Sequence, residues 1–287
     1  MAYAGKSFGH YSVAARGQIS LVNVPQKFIL PGRFKMNRTR SSPTLVATVL
    51  FSLLAGSTGF AQLPAGGPSL NFNSAMLKLF GSTTAFTARA DVQVLDPAQA
   101  ERLRTPMTFA DLDGRLRVEI DMSQIRGKDL PPAAVAGLKQ LGLDRVVSLL
   151  RTDKKVMYII YPNAQSYVSL PLPKEETAAA NQNLKVEKTA LAKETMDGHP
   201  CVKNQVVVKS GAKVVLTATT WNASDLKDFP VQIVTKEKDL TSVMRFQQIQ
   251  FVRPDAKQFE PPAGFKQYSD AETLVVVQSK KIPPAKK

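Results

Sequence analysis

Alternating apolar and polar residues, the pattern of a half-buried β-strand, recur through most of this chain. The clearest run is Phe86 to Val94, in which apolar residues alternate with Thr87, Arg89, Asp91 and Gln93. Further strands are predicted over Arg104 to Ala110, Arg115 to Met122, Val156 to Tyr161, Ser166 to Leu170, Leu184 to Met196, Cys201 to Lys209, Lys213 to Trp221, Val231 to Glu237 and Leu240 to Val252. The pattern predicts about ten strands in hairpin order, and a sheet this wide must curl or close.

Helices are predicted at three places among these strands, the last of them a short helical turn over Ser224 to Phe229 that Pro230 ends. The first runs from Asn71 to Phe80 and ends at Gly81, where a glycine favours helix termination. The second place is Pro132 to Leu150, where Gly142 separates two short helices. The predicted fold class is α+β: a curved antiparallel sheet, or incomplete β-barrel, of about ten strands with helices packed on its concave face.

A secretory signal is predicted over residues 36–61. The cationic stretch Met36 to Arg40 precedes the apolar run Leu45 to Ala55, and Gly59 and Ala61 form a small-x-small cleavage site. The apolar run is shorter than the roughly 20 residues that span a bilayer. The alternative is an uncleaved anchor or a buried core helix. A cleaved signal would make Gln62 the mature start and the protein periplasmic or secreted.

The remaining boundaries follow from that signal. Residues 1–35 contain no acidic group and are interpreted as an over-called start, with a true extended leader as the alternative. Ser57 stands where a lipoprotein signal has its cysteine, so no lipid anchor is expected. Residues 62–279 are predicted to form a single domain, and residues 280–287 a basic flexible tail.

Charge and composition exclude several classes of function. The formal net charge is +15, of which +7 lies before Gln62 and +4 in the last eight residues, so the body of the chain is only mildly basic. One Cys excludes a disulfide framework and a Cys-based zinc cluster, and two His leave little for a histidine metal centre. No cofactor is predicted. Mixed charges on the strands and the export signal argue against a nucleic-acid partner.

Candidate catalytic groups are few. His199 and Cys201 are the only close base and nucleophile, and Pro200 between them indicates the entry to a strand, hence a structural role. The carboxylate pair Asp111 and Asp113 lies at a turn and is expected to be solvated, whereas acid–base catalysis needs a buried member. The prediction is that the protein is not an enzyme.

Four phrases in the second half carry a family resemblance. They are Gly198 to Cys201, Thr219 to Trp221, Phe229 to Val231 and Phe259 to Phe265. Together with the signal, the front helix and the consecutive strands, they resemble the LolA/LolB-like superfamily of periplasmic lipoprotein carriers. The resemblance implies an incomplete β-barrel, helices that act as a lid, and an apolar cavity that binds lipid chains without transforming them. It identifies no ligand-binding residue one by one.

The predicted function is a non-enzymatic periplasmic binding or carrier protein for an apolar or lipidic ligand. The alternative is a structural or interaction protein of the cell envelope. Candidate lining residues of the cavity, whose other interpretation is ordinary core, are Phe72, Met76, Phe80, Val147, Tyr158, Trp221 and Phe246. Expected partners are lipid or an acylated protein, with peripheral contact between the Lys-rich tail and an anionic membrane surface. The protein is expected to be a monomer.

Overall fold

A computed structural model describes residues 73–128, 130–173 and 184–282. The predictions for residues 1–72, which include the signal segment and Phe72, and for the tail beyond Ile282 lie outside these ranges. The strands are β1 Ala85–Leu95, β2 Glu101–Leu112, β3 Arg115–Asp121, β4 Arg126–Gly127, β5 Arg145–Arg151, β6 Val156–Tyr161, β7 Ser166–Pro171, β8 Lys185–Met196, β9 His199–Ser210, β10 Lys213–Ala223, β11 Phe229–Glu237, β12 Leu240–Gln250 and β13 Lys266–Tyr268. The α-helices are α1 Ser74–Leu77, α2 Pro132–Gln140 and α3 Ala271–Ser279.

All thirteen strands of the described residues belong to one sheet. Its order is β13-β7-β6-β5-β3-β2-β1-β12-β11-β10-β9-β8, and β4 pairs separately with β2. Strand β13 runs parallel to β7, and the other pairs are antiparallel. The ten predicted strands are all present, so that part of the prediction is confirmed. The count was too low because β4, β5 and β13 were not recognised.

Strand β5 corrects the predicted second helix of the middle region. Arg145–Arg151 forms strand β5, which pairs with β3 on one side and with β6 on the other. Leu149 is buried on one face of the sheet and Leu150 on the other, so apolar residues do not alternate with polar ones. A short run that is apolar on both faces has the same appearance in a buried strand and in a buried helix.

Register shifts bend the sheet. Bulges occur between Thr87 and Arg89 in β1 and between Trp221 and Asn222 in β10, among other places. An extra residue on one strand of an antiparallel pair kinks that strand and increases its twist. Repeated bulges therefore allow a sheet of this width to curve around the elements packed on it.

The two faces of the sheet carry different coverings. We call the face with Phe86 and Phe246 the inner face, and the opposite face, with Val147 and Ile160, the outer face. Side chains alternate between the two faces along each strand.

Helices cover the inner face, as predicted. Helix α1 packs on the central strands, where Met76 and Phe80 join the main apolar cluster. Leu138 of α2 and Leu274 of α3 pack further along, against Val168 of β7. Helix α3 was not predicted. None of the helices in the described residues is long and apolar enough to cross a membrane.

A connecting segment covers the outer face. Residues 255–265, here called the outer clamp, lead from β12 towards β13. Phe259 is fully buried against Ala110 and Leu112 of β2, and Phe265 packs on the cluster that contains Val147. The phrase Phe259 to Phe265, which carries part of the family resemblance, therefore lies in the segment that covers the outer face.

The two edges of the sheet differ in length. One edge is the three-residue strand β13, and the other is the twelve-residue strand β8. Nearly every side chain of β8 is exposed, including Val186 at 40% and Leu191 at 54%. The register of β8 with β9 shifts between Ala190 and Ala192, so Leu191 lies in a bulge.

Candidate ligand site beneath the front helix

Helix α1 is short and depends on its contacts with the sheet. The side chain of Asn73 caps it by accepting a hydrogen bond from the amide of Met76 at 2.9 Å. A 3-10 turn, Lys78–Phe80, continues it, and Gly81 ends the segment with a positive φ of 65°. An isolated helix of this length is unstable in water, so packing must hold it in place.

Phe80 connects this front helix to three neighbouring strands. Its ring centroid lies 4.9 Å from that of Phe86 in β1, 5.6 Å from Phe229 in β11 and 5.6 Å from Phe246 in β12. Phe229 in turn lies 5.9 Å from Phe251. Tilted and edge-on pairs at these separations are favourable beyond the area they bury. Phe80 therefore acts as an aromatic plug in the inner face.

The structure brings together three of the predicted lining residues. Met76, Phe80 and Phe246 are buried in the same inner cluster. Val147 and Tyr158 instead lie on the outer face, on β5 and β6, where they pack with Ile160. The placement of Val147 on a lid helix was wrong, because that residue belongs to a strand.

Trp221 belongs to a separate cluster with Cys201. Ala218 of the same strand is part of the inner cluster, and a residue three positions further along a strand falls on the opposite face. The indole Nε1 donates a hydrogen bond to Glu194 at 2.7 Å, and the ammonium of Lys203 lies 4.9 Å from the ring centre. Trp221 is thus fixed by polar partners, away from Phe80.

His199 and Cys201 do not form an activated pair. The Nδ1 of His199 lies 2.8 Å from the carboxylate of Asp225, and the thiol of Cys201 donates to the carbonyl of His199 at 3.4 Å. Burial raises the pKa of the Cys201 thiol. A thiol that is kept protonated is a poor nucleophile, so this geometry fits the structural role predicted for the pair.

Asp111 contradicts the expectation of solvated carboxylates. It is only 3% exposed, because its side chain points to the same face as that of Phe109. Burial raises the pKa of Asp111 to about 7, while the backbone amide of Gly114 lowers it and the charge of Asp113 raises it. The alternation from Met107 through Phe109 was the signal that would have placed Asp111 inside.

A second concavity lies between the ends of α2 and α3. It has a volume of about 650 Å³, and its lining combines polar residues such as Lys139, Asp144 and Gln278 with the apolar Leu141 and Ile282. Within the described ranges, no group of three or more His, Cys, Asp or Glu side chains is placed to hold a metal ion.

Comparison with known proteins gives matches among solved structures only. No protein-family model matches the chain, and no curated protein matches it in sequence. A LolA superfamily protein from Nitrosomonas europaea matches with 11% identity and a TM-score of 0.33, over 65% of this chain and 94% of that one. The lipoprotein LppX of Mycobacterium tuberculosis matches with 9% identity and a TM-score of 0.32, over 72% and 96%.

MucB from Pseudomonas aeruginosa, in its complex with MucA, matches with 12% identity and a TM-score of 0.33, over 66% of this chain and 61% of that one. Identities and TM-scores this low carry no information about a ligand or a function.

Proposed function

We propose that the protein is a non-enzymatic binding or carrier protein for an apolar or lipidic ligand. The observation that supports this is the plug: a seven-residue helical segment places Met76, Leu79 and Phe80 into an aromatic inner face. In this proposal the ligand takes the place of those side chains when the front helix moves aside.

The energies make such an exchange reasonable. Withdrawing three large apolar side chains from the sheet costs roughly 5–9 kcal/mol, at about 1.5–3 kcal/mol each. An acyl chain that buries about twelve methylene groups gains roughly 10 kcal/mol, at about 0.8 kcal/mol each. The two quantities are close, so binding would be reversible, as a carrier requires.

The proposed site uses part of the predicted set. Phe246 lines it with Phe86 and Phe229, and Met76 and Phe80 occupy it until the ligand displaces them. Val147, Tyr158 and Trp221 are left out because they pack elsewhere. Export to the periplasm through residues 36–61, contact of the tail with anionic lipid and a monomeric state remain part of this proposal.

An apolar fluorescent dye tests the proposal on delipidated full-length protein. It should bind saturably at about one molecule per chain and be displaced by unlabelled lipid. Phe246→Glu should weaken binding by more than tenfold, because it places an uncompensated charge in the aromatic wall that the ligand would contact. The matched control is Gln247→Glu, an exposed position of the same strand. Absence of saturable binding, or equal effects of the two variants, would refute the proposal.

The edge strand β8 supports a second candidate, an interaction protein of the envelope. Val186 and Leu191 are exposed on a strand whose outer backbone edge pairs with no other strand of the described residues. Extended peptides can add to such an edge. Leu191→Lys should then abolish binding of the partner and leave the dye titration unchanged. If β8 has no such role, the variant should behave like the unmodified protein in both measurements.

A further inference from the structure

Asp111 lies beside the aromatic wall of the proposed site. It stands directly across from Phe86 of β1 on one side and from Leu116 of β3 on the other. Both neighbours belong to the inner cluster, and the ring of Phe86 is the one in contact with Phe80 at 4.9 Å. A ligand that replaced Phe80 would therefore come close to this carboxyl group.

One oxygen of the Asp111 carboxyl group is a buried hydrogen-bond acceptor without a donor. Its Oδ2 is buried and has no hydrogen-bond partner within the described part of the chain. Leaving such a group unpaired is unfavourable, and more so when it is charged. Buried polar atoms in folded proteins usually have a partner, so an isolated one calls for an explanation.

Basic residues around this hairpin are engaged with other carboxylates. Arg253 pairs with Asp113 at 2.7 Å, and Arg117 pairs with Glu119 at 2.9 Å. Both pairs use side chains that are at least one-fifth exposed, away from the inner cluster. The structure thus gives Asp111 an apolar surrounding without a compensating cation from these residues.

We propose that Asp111 anchors the polar end of the ligand by accepting a hydrogen bond from a hydroxyl or amine group. This inference rests on the proposed function and narrows its ligand class. Long-chain alcohols and amines, or lipids whose polar part presents such a donor, fit a buried acceptor. Chains that end in a carboxylate are disfavoured, because they bring a second negative charge to a desolvated carboxyl group.

A matched series of twelve-carbon compounds tests the anchor. An apolar fluorescent dye, 1-N-phenylnaphthylamine, is bound to delipidated full-length protein at pH 8 and displaced by dodecanol, dodecylamine, laurate or dodecyl methyl ether. All four carry the same chain, and only the first two present a donor. We expect dodecanol and dodecylamine to displace the dye at about tenfold lower concentration than the ether or laurate, since one hydrogen bond to a charged group is worth that factor.

Two variants assign the preference to Asp111. Asp111→Leu should abolish the advantage of dodecanol over the ether and leave displacement by the ether unchanged. Asp111→Asn keeps an acceptor oxygen and removes the charge, so it should retain the preference for dodecanol and lose any further preference for the amine. The control is Asp91→Asn on β1, whose carboxylate pairs with Arg104 at 2.9 Å and is one-third exposed.

The outcomes separate this inference from the proposed function. If neither the dye nor any twelve-carbon compound binds, the proposed function fails and the anchor with it. If all four compounds bind equally, or if Asp111→Leu retains the order seen for the unmodified protein, the anchor is refuted and the proposed function stands. Should the Leu variant not fold, Asp111→Asn decides: removal of the charge should weaken displacement by dodecylamine and leave displacement by the ether unchanged, and unchanged displacement by the amine would refute the anchor.

Discussion

The two faces of the sheet are closed by different kinds of contact. On the inner face, the front helix contributes apolar side chains such as Met76 and Phe80 to an aromatic cluster. On the outer face, the clamp is fixed by Arg151, which is 3% exposed and donates hydrogen bonds to the carbonyl of Phe259 at 2.9 Å and to Asp153 at 2.7 and 2.8 Å. Arg151 also forms an ion pair with Glu260.

These contacts differ in what can replace them. Apolar contacts have no direction, so an acyl chain of suitable length can substitute for the side chains of a short helix. A buried guanidinium needs its own acceptors in fixed positions, and losing one of them leaves an uncompensated charge. The comparison indicates that the inner face is the one that can open, while the outer face holds the sheet in shape.

The largest expected effect concerns Asp111, whose carboxyl group is buried on the largely apolar inner face. The pKa of Asp111 is about 7 in the folded protein and near 3.8 when unfolded, so the folded state binds the proton more tightly. Its stabilising contribution is complete below about pH 4 and is lost as the pH rises through 7, by at most about 4 kcal/mol. Asp111→Asn should therefore gain stability relative to the unmodified protein between pH 4 and 8, as measured by urea unfolding. A difference that does not change with pH would contradict the burial of this carboxyl group.

The next effect separates stability from binding at the plug. Phe80→Ala should lower the free energy of unfolding by about 3–4 kcal/mol, because it leaves a cavity among packed aromatic rings. The same cavity should strengthen binding of an apolar dye by about tenfold or more, since the ligand no longer displaces the ring. The matched control is Leu149→Ala on the outer face, which should also lower stability but leave dye binding unchanged. Weaker dye binding to folded Phe80→Ala would show that Phe80 forms a wall of the site and does not plug it.

A substitution at the outer clamp should lower stability without changing dye binding. Arg151→Met removes the donor to the Phe259 carbonyl and the partner of two carboxylates, which should cost about 3 kcal/mol of stability. Dye binding to the folded fraction should be unchanged. The control is Arg145→Met, whose pair with Glu119 is half exposed and should contribute less than about 1 kcal/mol. Similar losses for the two arginines would remove the contrast between the faces.

The smallest effect concerns Trp221. Trp221→Phe keeps a large apolar ring but loses the hydrogen bond to Glu194, which should cost about 1 kcal/mol. In the unmodified protein, the emission of this single tryptophan should not shift when ligand binds, because the ring packs away from Phe80. A shift in its emission wavelength on binding would place the ligand on the other side of the sheet.

Most of the fold could be predicted from the sequence because most strands are covered on one face only. Along β1, residues Phe86 to Val94 alternate between buried and more exposed positions, which is the pattern the sequence displays. That pattern disappears in β5, where both Leu149 and Leu150 are buried. On the outer face, Leu149 and its neighbours are covered by the outer clamp. The clamp lies more than a hundred positions further along the chain, so no local sequence pattern reveals it.

The candidate site was predicted less well for a related reason. Tyr158 and Trp221 have the size and character of lining residues, but the face on which they lie depends on register and bulges rather than composition. Asp111 was misplaced because Asp113 and Gly114 after it form a turn and suggest solvent. The hairpin does turn there, with positive φ at both residues, yet Asp111 two positions earlier already belongs to the buried strand.

The bulge at Leu191 has a consequence for how copies of this chain meet. A long, flat strand at the rim of a sheet is a template on which further chains can stack into fibrils. Strand β8 carries Lys185, Lys188 and Lys193, and its register breaks at the bulge, so a second β8 laid parallel and in register against it would meet like charges and a kink. The long rim can thus stay accessible at high protein concentration without seeding fibre growth.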